Sequence, residues 1–84
     1  MANRVVKQPD GLYARFSEIV DDFTHINYSY EDMWELYRDD SGIDCANEKM
    51  KRADDEPCRF DEAINIIARH HGTDIAENRR MEML

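Results

Sequence analysis

The fold is decided by the stretch Val5-Val6-Lys7-Gln8-Pro9-Asp10-Gly11-Leu12-Tyr13-Ala14-Arg15-Phe16. Its middle, Pro9-Asp10-Gly11, has the composition of a turn, because proline presets the angle φ early in a turn and glycine accepts a positive φ at its end. After the turn, apolar residues occupy every second position from Leu12 to Phe16, which is the period of a half-buried strand. The stretch therefore predicts a β-hairpin.

A helix is the alternative for the residues that follow the turn. One face of such a helix would collect apolar side chains three or four residues apart, namely Leu12, Phe16, Ile19, Val20, Phe23 and Ile26. Residues 12–24 thus fit either a strand or a helix. With a helix there, the whole chain would be a small all-α bundle.

Helical signals dominate the rest of the chain. Ser29-Tyr30-Glu31-Asp32 resembles a capping box that begins a first helix, and Ser41-Gly42 ends it. A second helix is predicted over residues 43–53, where apolar residues recur at helical spacing. Asp54-Asp55-Glu56-Pro57 begins a third helix, since acids favour its positive N-terminal end and proline fits its first turn. Gly72 ends that helix.

The sequence thus predicts an α+β fold in one small domain, residues 1–84, with an N-terminal β-hairpin or small antiparallel sheet packed by about three helices. Thr73 would cap a short fourth segment that holds Ile75 and Ala76. The predicted core comprises Leu12, Phe16, Val20, Met33, Trp34, Leu36, Phe60, Ile64 and Ile67. A chain of this size buries only about 60–65% of the surface that its unfolded form exposes, so the core is thin.

Acidic residues outnumber basic ones by 19 to 11, and residues 17–62 alone carry fifteen acids against five bases. A net charge of −8 argues against unaided binding to nucleic acid, which needs clustered Lys and Arg, and against polybasic attachment to a membrane. Residues 1–7 show no apolar signal-peptide stretch, and no apolar run approaches the roughly 18 residues that span a bilayer. Together with only two cysteines, these features favour a cytoplasmic protein with reduced thiols.

The candidate metal ligands are Cys45, Cys58, His70 and His71. This set lacks the close ligand pair typical of structural zinc sites, and adjacent histidines on a helix point about 100° apart. Neither cysteine stands in a motif for nucleophilic catalysis, which also needs a base and oxyanion donors. The sequence therefore predicts no catalytic residue, no metal site and no cofactor, and indicates that the protein is not an enzyme.

The acidic residues come largely in pairs, and aromatic residues lie among them. In one interpretation these pairs are only solvated helix faces and helix N-termini. In the other, they form a patch complementary to a basic surface, and one or two tyrosines supply the buried anchor that exposed charges cannot. The partner-binding residues in that second interpretation are Asp21, Asp22, Tyr28, Tyr30, Glu31, Asp32, Glu35, Asp39 and Asp40.

One segment is similar to a known group of proteins. It reads Lys7-Gln8-Pro9-Asp10-Gly11-Leu12-Tyr13-Ala14-Arg15-Phe16-Ser17-Glu18-Ile19-Val20-Asp21-Asp22-Phe23-Thr24. The segment resembles small uncharacterised phage and prophage proteins with a QP-x-G-x-Y-x-x-F-S opening, followed by an Asn-x-Ser/Thr helix start, here Asn27-Tyr28-Ser29. The resemblance covers about residues 4–36. It implies a phage origin, and hence the cytoplasm of a host cell, but it carries over no catalytic residue.

Small acidic phage proteins without a catalytic site include anti-defence inhibitors such as the anti-CRISPR proteins, many of which occupy a surface that would otherwise hold nucleic acid. By this analogy the protein is expected to bind a basic surface of a nucleic-acid-handling protein complex, such as a CRISPR effector complex, and to block nucleic-acid binding there. The alternative is a small phage accessory or regulatory protein that acts by homo-oligomerisation. Both hypotheses expect a protein partner rather than nucleic acid or a membrane, and leave monomer and homodimer open.

Overall fold

The computed structural model of the chain describes residues 3–83, so residues 1, 2 and 84 of the predicted domain lie outside the described part. An antiparallel sheet comes first and helices follow. The elements are β1 (Asn3–Lys7), β2 (Tyr13–Ser17), β3 (Asp22–Tyr28), α1 (Tyr30–Ser41), α2 (Ile43–Asp55), α3 (Arg59–His71) and α4 (Thr73–Glu82). The strands lie in chain order, so β2 is central. The predicted α+β fold is confirmed, and the all-α alternative is wrong.

The β1–β2 hairpin is closed by hydrogen bonds on both sides of the predicted turn. The backbone N–H of Gln8 donates to the carbonyl oxygen of Leu12 at 2.8 Å, and that of Gly11 donates to the carbonyl oxygen of Gln8 at 3.1 Å. The Asp10 carboxylate accepts from the N–H of Leu12 at 3.0 Å. The strands then pair in register, with Val6 opposite Ala14. The local turn signal was therefore sufficient to predict this hairpin.

A third strand replaces the helix that the apolar spacing after residue 16 would allow. Between β2 and β3 the chain reverses in a turn, and Asp21 in that turn has a φ of 52°. Ile19 and Val20 lie in the turn and are 79% and 52% exposed, so the prediction of Val20 as a core residue is wrong. The pairing of β3 with β2 shifts register twice, and Asn27 near the end of β3 has a φ of 61°. These shifts are bulges, which insert extra residues into one strand and bend it.

The sheet is covered on both faces. Neighbouring residues of a strand point to opposite faces, so Val5 and Val6 belong to different apolar layers. One layer joins the sheet to α1 and α2 and consists of Val5, Tyr13, Met33, Tyr37, Ala46, Met50 and Ala53. The other joins it to α3, α4 and the residue that follows α4, and consists of Val6, Ala14, Phe16, Phe60, Ala63, Ile67, Ala76 and Met83. The sheet therefore lies between two helical hairpins, one formed by α1 and α2 and the other by α3 and α4.

The predicted core is partly correct. Phe16, Met33, Phe60 and Ile67 are buried, whereas Leu12, Trp34, Leu36 and Ile64 are only half-buried. The two-sided sheet and the helices also bury side chains that were not predicted as core: Val5, Val6, Tyr13, Tyr37, Met50 and Met83. A half-buried strand buries only one of its two faces, so the predicted core contained too few residues of β1 and β2.

The helix boundaries follow the predicted signals closely at α1 and less closely after it. The Ser29 hydroxyl accepts a hydrogen bond from the N–H of Asp32 at 3.1 Å, which confirms the predicted N-cap. Single glycines, Gly42 and Gly72, join the two helices of each hairpin. The fourth segment is a full helix of ten residues whose N-cap position is Gly72 rather than Thr73. The described part of the chain therefore packs four helices with the sheet, not three.

Candidate protein-binding surface

Four of the predicted partner-binding residues share one face of α1: Glu31, Asp32, Glu35 and Asp39, hereafter the acidic helix face. At 100° of turn and 1.5 Å of rise per residue, they lie within about 100° of arc and about 12 Å of helix length. Glu31, Asp32 and Asp39 are exposed, and Glu35 is half-buried. The face opposite, which includes Met33 and Tyr37, is buried against the sheet and α2. This packing fixes the direction in which the acidic helix face points.

Few cations neutralise the acidic helix face. Within residues 3–83 its one ion pair joins Arg38 Nη2 to Asp39 Oδ1 at 3.2 Å. The guanidinium of Arg38 also lies over the Trp34 ring, 5.2 Å from its centre. Trp34 Nε1 in turn donates to Asn47 Oδ1 on α2 at 2.8 Å, so the indole is held between the two helices. Trp34 is therefore a packing residue of the α1–α2 hairpin rather than a free aromatic anchor.

The two predicted tyrosine anchors differ in exposure. Tyr30, the first residue of α1, is 48% exposed, and its ring meets the edge of the buried Tyr13 ring at a centroid distance of 5.6 Å. Tyr28, at the end of β3, is half-buried, packs against the α1–α2 layer, and makes an edge contact with His25 at 5.3 Å. The contact with Tyr13 holds the Tyr30 ring in one place while leaving half of it accessible, which suits an anchor.

Asp40 lies apart from the acidic helix face although it follows Asp39 in sequence. Successive residues of a helix are separated by 100°, so the two carboxylates point in different directions. Asp40 Oδ2 is 3.9 Å from Nη1 of Arg15 in β2, whose guanidinium lies 5.7 Å from the centre of the Tyr37 ring. Asp40 thus reaches back toward the sheet, and part of its charge is balanced there.

Asp21 and Asp22 lie at the other end of β3 from Tyr28, about 20 Å away at the usual rise of a strand. The Asp22 carboxylate accepts two hydrogen bonds of 3.1 Å from Arg79 on α4 and one of 2.7 Å from the N–H of Phe23. Burial alone would raise the pKa of Asp22, but the bonds from Arg79 and Phe23 lower it below the usual range. Asp21 lies 3.7 Å from His70. These two acids attach β3 to α3 and α4, and the structure does not bring them to the acidic helix face.

The four side chains that were weighed as metal ligands, Cys45, Cys58, His70 and His71, lie on separate parts of the fold. Cys45 is a half-buried free thiol on α2, and Cys58 is an exposed free thiol just before α3. His71 Nε2 lies 2.9 Å from the carbonyl oxygen of Val20, at hydrogen-bonding distance. One of the two ring nitrogens of His71 therefore already has a partner. Across the described part of the chain, no three His, Cys, Asp or Glu side chains gather as ligands for a metal ion.

A concave feature that the sequence analysis missed runs along the outer edge of β1, between α2 and the beginning of α3. This groove has a volume of about 390 Å³. Four cations line it, hereafter the basic groove: Arg4, Lys49, Arg52 and Arg59. They come from three separate elements, so only the three-residue spacing of Lys49 and Arg52 on α2 could have indicated part of it from sequence.

Comparison with known proteins assigns no family. No protein-family model matches the chain, and no curated protein or solved structure is significantly similar to it. The resemblance of residues 4–36 to phage proteins therefore stays a prediction. None of the helices described between residues 3 and 83 combines the length and apolar character needed to traverse a bilayer.

Proposed function

We propose that this protein is a non-catalytic inhibitor that binds a basic surface of a nucleic-acid-handling protein complex through the acidic helix face of α1 and the adjacent Tyr30. The observation that carries the proposal is the alignment of Glu31, Glu35 and Asp39 at four-residue spacing on a helix whose opposite face is buried. A CRISPR effector complex of the host cell is the specific partner that the phage resemblance favours.

The spacing of the charges supports competition with nucleic acid. Four carboxylates over about 12 Å of α1 amount to one negative charge per 3–4 Å. One strand of B-DNA carries a negative charge about every 3.4 Å along the helix axis. A groove whose Lys and Arg side chains are placed for a phosphate backbone would therefore meet a similar linear charge density on α1. Such charges chiefly raise the rate of association, and their effect falls with salt.

Tyr30 would supply affinity that exposed charges do not. Interface energy is concentrated in a few residues, with tyrosine enriched among them, and rim charges contribute little by themselves. Tyr30 stands at the N-terminal end of the acidic helix face and is already positioned by Tyr13. Binding would thus restrict its side chain by less than it would restrict a freely rotating one.

The test is affinity capture from a bacterial lysate, with and without nuclease, using a double charge reversal on the acidic helix face. Glu35→Lys with Asp39→Lys changes the net charge from −8 to −4. Asp55→Lys with Glu77→Lys makes the same change at two exposed positions elsewhere. The proposal expects the native chain and the control variant to capture nucleic-acid-binding proteins even after nuclease treatment. The α1 variant should capture much less of them, and added single-stranded DNA should reduce capture by the native chain. Equal capture by both variants would contradict it.

A second function is favoured by the exposed apolar side chains of the β2–β3 turn. Ile19 and Val20 are adjacent and both more than half exposed, as a self-association surface of an accessory protein would require. This alternative expects a homodimer whose stability hardly depends on salt. Sedimentation equilibrium at low and high salt distinguishes the accessory protein from the inhibitor, because only the accessory protein requires self-association.

A further inference from the structure

The basic groove is a positive region on a protein whose net charge is −8. Among residues 3–83 its lining includes the cations Arg4, Lys49, Arg52 and Arg59 and two carboxylates, those of Glu18 and Glu48. The cations approach from different sides, because Arg4 comes from the edge strand β1, Lys49 and Arg52 from α2, and Arg59 from the start of α3. A volume of about 390 Å³ lies within the range of small-molecule sites.

Lys49 is the one cation of the described groove lining that is not paired with a carboxylate, and its Nζ lies 5.7 Å from the centre of the Tyr37 ring. Its Nζ donates to the carbonyl oxygen of Asn3 at 3.0 Å, which uses one of the three ammonium hydrogens. No carboxylate between residues 3 and 83 forms an ion pair with it. Burial lowers the pKa of Lys49, and the positive charges of Arg52 and Arg59 lower it further, against the opposing effects of Cys45 and Glu48. An anion placed beside Lys49 would relieve this repulsion and use its remaining donors.

The arginines of the groove are held by ion pairs that a ligand could replace. Arg4 pairs with Glu18, Arg52 with Glu48 at 3.1 Å, and Arg59 with Glu56 at 2.6 Å. Each carboxylate of these pairs is more than 40% exposed, and exposed ion pairs contribute little net stability. A guanidinium has five donor hydrogens, so each arginine retains donors beyond its present partner.

We propose that the basic groove binds a small ligand through its phosphate or diphosphate group, with Lys49 and Arg52 as the principal contacts. A phosphate group presents several oxygens in different directions and carries up to two negative charges, which matches cations that converge from three elements. A single carboxylate has two coplanar oxygens and one charge, and would satisfy fewer of them. The site lies on different elements from the acidic helix face, and is independent of the function proposed above.

The experiment is a titration of the full chain with inorganic phosphate, pyrophosphate, ADP and citrate at fixed ionic strength, followed by amide chemical shifts and calorimetry. Saturable binding of pyrophosphate is expected, with shifts centred on Asn3, Lys49 and Arg52. Lys49→Met should weaken it at least about tenfold, as loss of a charge-assisted hydrogen bond does. Lys51→Met removes the same charge from an exposed position outside the groove, and should change affinity by less than about twofold.

Several results would overturn the proposal. They are the absence of saturable binding, equal weakening by Lys49→Met and Lys51→Met, and citrate binding as tight as that of pyrophosphate. If Lys49→Met does not fold, Arg52→Gln makes the same test, because Arg52 is 61% exposed and supports little of the core. Comparison of ADP with pyrophosphate identifies the source of the group: tighter ADP binding indicates a nucleotide, and equal binding indicates a free diphosphate.

Discussion

Gln8 and Asn27 exchange two hydrogen bonds between the β1–β2 turn and the bulged end of β3. The Gln8 amide donates from Nε2 to Asn27 Oδ1 at 2.9 Å, and its Oε1 accepts from the backbone N–H of Asn27 at 2.7 Å. Asn27 Nδ2 donates in turn to the carbonyl oxygen of Glu82 at the end of α4, at 3.2 Å. Gln8 is only 2% exposed. The buried Gln8 amide therefore connects the first turn to the third strand, and the exposed Asn27 side chain extends the connection to the last helix.

Replacement of that amide is expected to destabilise the fold. In Gln8→Met the side chain keeps its length but loses both hydrogen bonds to Asn27, each of which contributes about 0.5–1.5 kcal/mol of net stability. Urea unfolding followed by circular dichroism measures the loss. Asn65→Ala, at an exposed amide on α3, should stay within about 0.5 kcal/mol of the native chain. Native-like unfolding of Gln8→Met would show that this connection carries no stability.

The Asp22–Arg79 pair predicts a pH-dependent contribution to stability. Because the pKa of Asp22 is lowered in the folded state, the unfolded state takes up the proton first as the pH falls. The contribution is therefore present above the usual carboxyl pKa of about 3.9 and is lost as the pH falls below it. Asp22→Asn should be less stable than the native chain at pH 7, and the difference should close on acidification. A difference that is the same at pH 7 and pH 3 would contradict the role of this pair.

Tyr37 predicts a loss of stability at alkaline pH. Burial raises the pKa of Tyr37 to about 12, despite the opposing charge of Arg15, and its hydroxyl donates to Asn3 Oδ1 at 2.8 Å. The unfolded state ionises near pH 10, so the contribution is complete below pH 10 and is lost as the pH rises to about 12. Tyr37→Phe should reduce the slope of unfolding free energy against pH in this window. An unchanged slope in urea titrations under reducing conditions would refute the prediction.

The two candidate anchors predict different outcomes when truncated. Tyr30→Ala should speed dissociation of the captured partner and cost about 2 kcal/mol of binding, because half of the ring is accessible. Tyr28→Ala should instead lower the stability of the fold, since Tyr28 packs against the α1–α2 layer. Dissociation rates by surface plasmon resonance and thermal unfolding of both variants make the comparison. A partner lost more readily from Tyr28→Ala, with normal unfolding, would transfer the anchor role to Tyr28.

Local signals predicted the parts of the fold that local chemistry determines. Pro9-Asp10-Gly11 and the Ser29 cap were correct because turns and caps are made by neighbouring residues. The β2–β3 turn was missed, since a left-handed aspartate, Asp21, stands where glycine would have marked it. Without that mark, Val20 fitted a helical stripe better than an exposed turn.

The candidate site was predictable only in part, because only some of its geometry depends on residues that are neighbours in sequence. The four-residue spacing of Glu31, Glu35 and Asp39 follows from sequence once α1 is assigned. In contrast, the sequence could not separate Asp22 from this group, because its partner Arg79 lies 57 residues away. Lys49 is placed beside Arg4 and Arg59 only by the packing of α2 and α3 along β1.

The placement of Val5 and Val6 in different apolar layers has a consequence for partial unfolding. If either helical hairpin detaches, it bares one face of the sheet while the other face stays covered, so opening can occur in two separate steps. Amides of α4 would then exchange with solvent deuterium independently of those of α1. The slowest exchange is expected in β2, because its backbone is flanked by β1 and β3. Its amides become fully exposed to solvent only after both helical hairpins have detached from the sheet.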